Sequence, residues 1–199
     1  MNRTQSQAPF SCLFGNLSLQ WNVATKKEVS ALNPKIRQLS RGALLLALGV
    51  LSQQLRLVIP LPVPVMTLLI GSLVNTCLAL AAVHTSRILA WVVCGALACI
   101  AFLQGHIIGA LVPVVTLGNG MFVEMLLIPG EKKVRYVGAP CAKTLVMLIG
   151  LCGVFYMLHF PMHLVWKMLS VFIPTQFFTG LIGVLLADGI QSRLGKQDR

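Results

Sequence analysis

The residues able to bind a ligand are few, and they interrupt long apolar runs. Gln53 and Arg56 close one such run at i, i+3 spacing, which sets both on one helix face. Thr67, Gly71 and Asn75 recur at i, i+4 in the next run, and Asn119 sits within Gly118-Asn119-Gly120. Gln104 and His106 mark a turn, as do Tyr156, His159 and His163, with Lys167, Thr175 and Gln176 just beyond. Amide side chains donate and accept hydrogen bonds, and a guanidinium can grip a carboxylate or phosphate through two parallel ones. In hydrocarbon surroundings such groups are costly, so they face a bundle interior, a cavity or each other. They come from different apolar runs yet converge towards one side of the bilayer, which points to a pocket for a small molecule. The candidate lining residues are Gln53, Arg56, Asn75, Gln104 and Asn119, with Arg56 the anchor for an anionic ligand.

Reaction chemistry is poorly provided for. The five acidic residues, Glu28, Glu124, Glu131, Asp188 and Asp198, offer no acid pair inside an apolar run, and Glu124 is expected to meet Lys132 or water. No H-E-x-x-H, G-x-S-x-G or nucleotide-binding G-x-x-x-x-G-K-[ST] sequence occurs, so any ATP hydrolysis through that device belongs to a partner. The six cysteines form no C-x-x-C pair and read as small packing residues. His106, His159 and His163 could share one face, but Pro161 separates the last two and no carboxylate or thiolate accompanies them. No metal or cofactor is expected. A metal or haem protein, an intramembrane enzyme and a purely structural subunit stand as the competing readings.

The elements that must position these residues follow from composition. Of 199 residues 56% are hydrophobic and 11% charged, too little charge to cover the apolar mass in water. A membrane-spanning helix needs about 20 mainly apolar residues. Six windows qualify or come close: Gly42 to Ile59, Val65 to Val83, Ile88 to Leu103, Ile107 to Ile128, Thr144 to Phe160 and Met168 to Ala187. The third and fifth are short, and Pro113 with Gly118-Asn119-Gly120 suggests that the fourth is broken. The expected architecture is an all-α integral membrane bundle of about six transmembrane helices over residues 34–199. A polar, disordered or membrane-surface tail over residues 1–33 precedes it.

A formal net charge of +11 could suggest a nucleic-acid partner, but the charge follows the loops. All but Arg56 and Lys167 of the 16 basic residues precede the first window, follow the last or fall in alternate connections, with Lys132, Lys133, Arg135 and Lys143 together in the loop after the fourth window. The positive-inside rule then places both termini in the cytoplasm, in a multi-pass protein of the cell membrane. Trp91 and Trp166 near span ends suit the headgroup layer. Val58-Ile59-Pro60-Leu61-Pro62-Val63-Pro64 reads as a stiff extended connection, a linker or a cover over an outward-facing cavity.

Four segments carry a resemblance: Ala43-xxx-Ala47 on the first span; Leu51-Ser52-Gln53-Gln54-Leu55-Arg56-Leu57; Gly71-Ser72-Leu73-Val74-Asn75; and Pro113-Val114-Val115-Thr116-Leu117-Gly118-Asn119. Together they resemble the substrate-binding S components of energy-coupling factor (ECF) transporters. The resemblance implies a six-helix subunit that captures a vitamin-like nutrient from outside the cell. It also implies that Ala43 and Ala47 dock a separate transmembrane T subunit driven by two cytoplasmic ATPases. Pockets vary widely in that family, so the resemblance assigns no substrate-contact residue. The tail is longer than the family needs, and it lacks the N-terminal His of the cobalt and nickel relatives.

Overall fold

The computed structural model describes residues 33–197, with side chains as far as residue 193. The expected tail, with Cys12 and Trp21, lies outside the described residues apart from Asn33. Six α-helices follow in order: α1 Pro34–Val58, α2 Val63–His84, α3 Arg87–Leu103, α4 Val112–Leu127, α5 Lys132–Met157 and α6 Met162–Gln197. A short 3-10 turn, Gly109–Leu111, leads into α4, and no strand occurs among the described residues. The fold is therefore all-α, and the described residues from Gln38 onward form one compact unit.

The helix starts obey local chemistry. Asn33 Oδ1 accepts from the Lys35 amide at 3.1 Å, and Pro34 opens α1 where its missing N–H costs nothing. Pro64 and Pro113 likewise sit in the first turns of α2 and α4. The Ser86 hydroxyl caps α3 by accepting from Leu89 N at 3.4 Å. The extended connection is reduced to residues 59–62, with Pro62 at φ −52°, ψ 138°.

Two expectations change. The fourth span is unbroken: Pro113 belongs to its first turn, and Gly118, Asn119 and Gly120 continue the helix, packed too tightly to unwind. Gly118 lies against Met147, and Gly120 against the Trp91 ring. The basic segment is not a loop either. Lys132 through Pro140 form the opening turns of α5, and Lys143 lies inside that helix, not in a connection. Pro140 removes one backbone donor, yet the helix continues, with the Thr144 hydroxyl donating to the Pro140 carbonyl at 2.7 Å.

Four segments are long and apolar enough to cross a bilayer: Val63–His84, Gly109–Leu127, Lys132–Met157 and Met162–Arg193. α3, at 17 residues, falls just short of that length, and α1 carries Lys35, Arg37, Arg41 and Arg56 along its 25 residues. Polarity is inverted relative to a water-soluble bundle. Leu44, Leu48, Leu145, Ile149, Leu185 and Leu186 are exposed, whereas Gln53, Ser72, Asn75, Thr76, Asn119, Lys143 and Thr179 are buried. Exposed leucines over that much surface fit a protein surrounded by lipid. Buried hydroxyls are satisfied within their own helices, as Ser52 to Leu48, Ser72 to Leu68 and Thr76 to Ser72.

The closest helix approaches are α2 with α6 and α4 with α5. At the α2–α6 crossing, a Cβ on Gly71 would lie 2.8 Å from Thr179 Cγ2, and one on Gly183 would meet Asn75 Cβ at 2.5 Å and the Thr76 backbone N at 3.0 Å. The second contact involves backbone, which cannot swing aside. The Gly183–Ala187 spacing thus serves an intramolecular crossing. Gly183→Val is expected to destabilise the protein by about 1–3 kcal/mol, the usual cost of overpacking a fitted site, read as a lower midpoint in detergent-unfolding titrations.

Candidate functional site

The helices converge on a cavity of about 220 Å³. Its lining takes Gln53 and Arg56 from α1, Thr67, Gly71 and Asn75 from α2, Asn119 from α4, Lys143 from α5, and Gln176 and Thr179 from α6. Apolar residues of α3, among them Leu97 and Ala98, complete the wall. The i, i+4 stripe of α2 and four of the five candidate residues therefore face one space. Gln104 does not join them: it caps the C-terminus of α3, partly exposed, with Oε1 unpartnered. Being next to a turn placed it near the pocket in sequence logic, but the end of α3 turns it elsewhere.

Lys143 is the residue that loop-counting missed. It is only 4% exposed, and among the described buried residues it alone carries a formal charge. Nζ donates to Asn75 Oδ1 at 2.6 Å and lies 5.6 Å from the Phe122 ring centroid, within cation–π range. Asn75 Nδ2 in turn donates to Thr179 Oγ1 at 3.2 Å, and that hydroxyl donates to the Gln176 carbonyl at 3.1 Å. An ammonium has no lone pair, so it must meet the amide oxygen, which fixes the Asn75 orientation. No carboxylate of the described residues lies within ion-pair distance of Lys143. Its position three residues beyond Pro140, beside a run of cations, concealed it; helical spacing from Ala139 through Lys143 to Met147 and Leu151 was the available signal, since all four are buried.

Gln53 adds an unmet acceptor. Nε2 donates to the Leu97 carbonyl at 3.3 Å, which turns Oε1 away as a buried oxygen without a partner. Asn119, 4% exposed, makes no side-chain hydrogen bond to another described residue. Arg56 is exposed. His106, in the α3–α4 connection, is held below the ordinary histidine range by partial burial and by the nearby Arg56 charge, both of which favour the neutral imidazole. Lys143 and Arg56 are then the cations facing the cavity.

A second, larger space of about 690 Å³ adjoins the first. Thr67, His106, Ile107, Val115 and Phe172 line both. Beyond that shared wall the lining is mostly apolar, including Leu111, Leu151, Phe155, Phe160, Met168 and Val171, with Lys167 and Thr175 as its polar members. Val63 and Pro64, at the end of the extended connection, form part of its edge. The start of α2 and the α3–α4 and α5–α6 connections therefore gather at one end of the bundle.

The opposite end is tied by charge. Glu124 Oε1 accepts from Arg87 Nε and Trp91 Nε1, both at 2.7 Å, so its partners are these and not Lys132 or water alone. Lys132 instead lies 4.0 Å from Asp188, which also accepts from the Tyr136 hydroxyl at 2.6 Å. No group of three potential metal ligands comes together among the described residues, His106, His159 and His163 included.

A buried ammonium answered by one neutral amide destabilises an empty bundle. Replacing it by an apolar side chain of similar length is often neutral or stabilising. Lys143→Met is expected to leave the melting temperature of the ligand-free protein unchanged or raised; a clear fall would make Lys143 a structural tie. Compared with known proteins, the chain matches no family model, no curated protein and no solved structure at a significant level.

Proposed function

We propose that this chain is the substrate-capture membrane subunit of an ECF-type importer for a vitamin-like small nutrient, energised by separate ATPase subunits. The observation that carries the reading is the cavity. Within an apolar bundle it gathers Lys143, Gln53, Asn75 and Asn119, with a buried charge lacking a counter-ion and a buried acceptor lacking a donor. Intramembrane groups of that kind mark ligand pathways far more often than structural packing. The chain keeps binding chemistry and lacks a nucleotide-binding loop, so transport energy comes from elsewhere.

The surface of α1 supports the same reading. Ala43 and Ala47 are exposed one turn apart, flanked by exposed Leu44, Leu48 and Leu51. Small residues among leucines allow another helix to approach closely. The proposed occupant is the transmembrane T subunit, with two ATPases on its cytoplasmic side, and the proposed location is the plasma membrane with both termini cytoplasmic.

Affinity purification of the tagged protein from its native membrane in mild detergent tests the proposal. Recovery of a membrane T subunit with paired ATPases is the expected result; their absence, where a known complex of this kind survives, would reject it. Ala47→Trp should impair uptake and assembly while sparing ligand binding, and intact assembly would remove α1 from the docking role. Arg56 is exposed, so Arg56→Ala should weaken an anionic ligand by no more than about 0.2–1 kcal/mol, the worth of a solvent-exposed ion pair, measured by titration calorimetry.

A further inference from the structure

We infer that the ligand is a small amphipathic organic anion, its charged head paired with Lys143 in the inner cavity and its apolar body filling the adjoining chamber. The inference rests on the capture reading and names the substrate class for that site.

Three features carry it. The first is charge. The described carboxylates are engaged or distant: Glu124 holds Arg87 and Trp91, Asp188 holds Tyr136 near Lys132, and Glu131 precedes the first turn of α5. Lys143 therefore meets one neutral oxygen, leaving two of its three N–H donors for a ligand. A buried charge of this kind is stabilised best by an opposite charge with further hydrogen bonds. A carboxylate or phosphate meets both needs, and Arg56 on the same cavity adds attraction.

The second feature is polarity matching. Gln53, on the same cavity, carries a buried Oε1 without a partner, which a hydroxyl or N–H donor on the ligand would answer. The third is the chamber, about 690 Å³, mostly apolar in its lining apart from Lys167 and Thr175 and contiguous with the polar cavity through Thr67, His106, Val115 and Phe172. The two spaces together reach the size of ordinary small-molecule sites. A cation would be repelled by Lys143 and Arg56. A sugar-like solute would leave the aromatic and aliphatic chamber wall uncovered, and a pure hydrocarbon would leave Lys143 unanswered.

The test uses the full-length protein in nanodiscs of zwitterionic phospholipid, with 4-phenylbutyrate and its neutral counterpart 4-phenylbutan-1-ol as probes, titrated calorimetrically against empty nanodiscs. The carboxylate should bind at least about tenfold more tightly than the alcohol, a difference of about 1.4 kcal/mol. In Lys143→Met the two affinities should converge while alcohol binding persists. Asn75→Asp provides an independent check that keeps the local shape: it places a carboxylate where the 2.6 Å oxygen now sits, and should also abolish the preference. Equal binding of the probes to the unmodified protein, survival of the preference in both variants, or no saturable binding of either probe would overturn the inference. Displacement of phenylbutyrate by added phosphatidylglycerol would overturn it in favour of a lipid headgroup; no displacement supports a free solute. Co-purification of the T subunit and ATPases is read separately, so a failed probe preference with those partners present rejects the ligand class alone.

Discussion

A lysine ammonium at the centre of an apolar bundle sets the terms for the helices around it. Asn75 can answer Lys143 only if its amide is held with the oxygen towards α5, and Thr179 on α6 holds the other end. That arrangement requires α2 and α6 to approach closely, which Gly71 and Gly183 permit. Pro140 belongs to the same assembly, because Gly180 packs on its ring and brings α6 against α5 one turn before the lysine. Small residues at three points thus allow one hydrogen-bonded chain to link three helices. The exposed surface, by contrast, is built from leucine and isoleucine and asks little of sequence beyond hydrophobicity.

This division explains what was readable in advance. Apolar runs are set by the lipid environment, so each of the six windows has its helix, and the Thr67-Gly71-Asn75 stripe follows from helical period alone. Gln53, Arg56 and Asn119 could be placed because they interrupt such runs. Lys143 could not, since near a span edge a cation reads as a loop charge, and Pro140 with Gly138 reads as a helix end. Tertiary packing overrides both signals by accommodating a proline within the helix. The Glu124 pairing with Arg87 and Trp91 depends on how α3 lies against α4, a contact no local spacing encodes. Gln104 stands apart from the cavity lining for a related reason: it lies where the last turn of α3 finishes.

The two ends of the bundle differ in kind. One is latched by Arg87–Glu124–Trp91 and by Tyr136–Asp188 with Lys132 alongside. At the other, Arg56 and Lys167 make no ion pair with a described residue, and the chamber opens among the connections. The same asymmetry appears in the charge distribution of the sequence, which under the proposed topology would put the open end outside. On the proposed function, a solute entering there would pass a mostly apolar chamber, with Lys167 in its lining, before reaching the cavity that Lys143 and Arg56 line.

α1 joins the two proposed roles. It is held less by close backbone approach than by side chains reaching across to it: Leu89 over Gly42, Leu97 over Gly49, and Gln53 bonded to the Leu97 carbonyl. The helix carries Gln53 and Arg56 on the cavity and Ala43 and Ala47 on its exposed face. A ligand that engages Gln53 or Arg56 therefore acts on the same rigid element that the T subunit would grip. Coupling needs a differential interaction of the ligand with two positions of some element, and α1 is the helix whose shift would disturb the fewest close contacts. On the proposed function, the physical route from an occupied pocket to a docked partner would be a small movement of this one helix, favoured by the charge and hydrogen bonds that the site leaves incomplete.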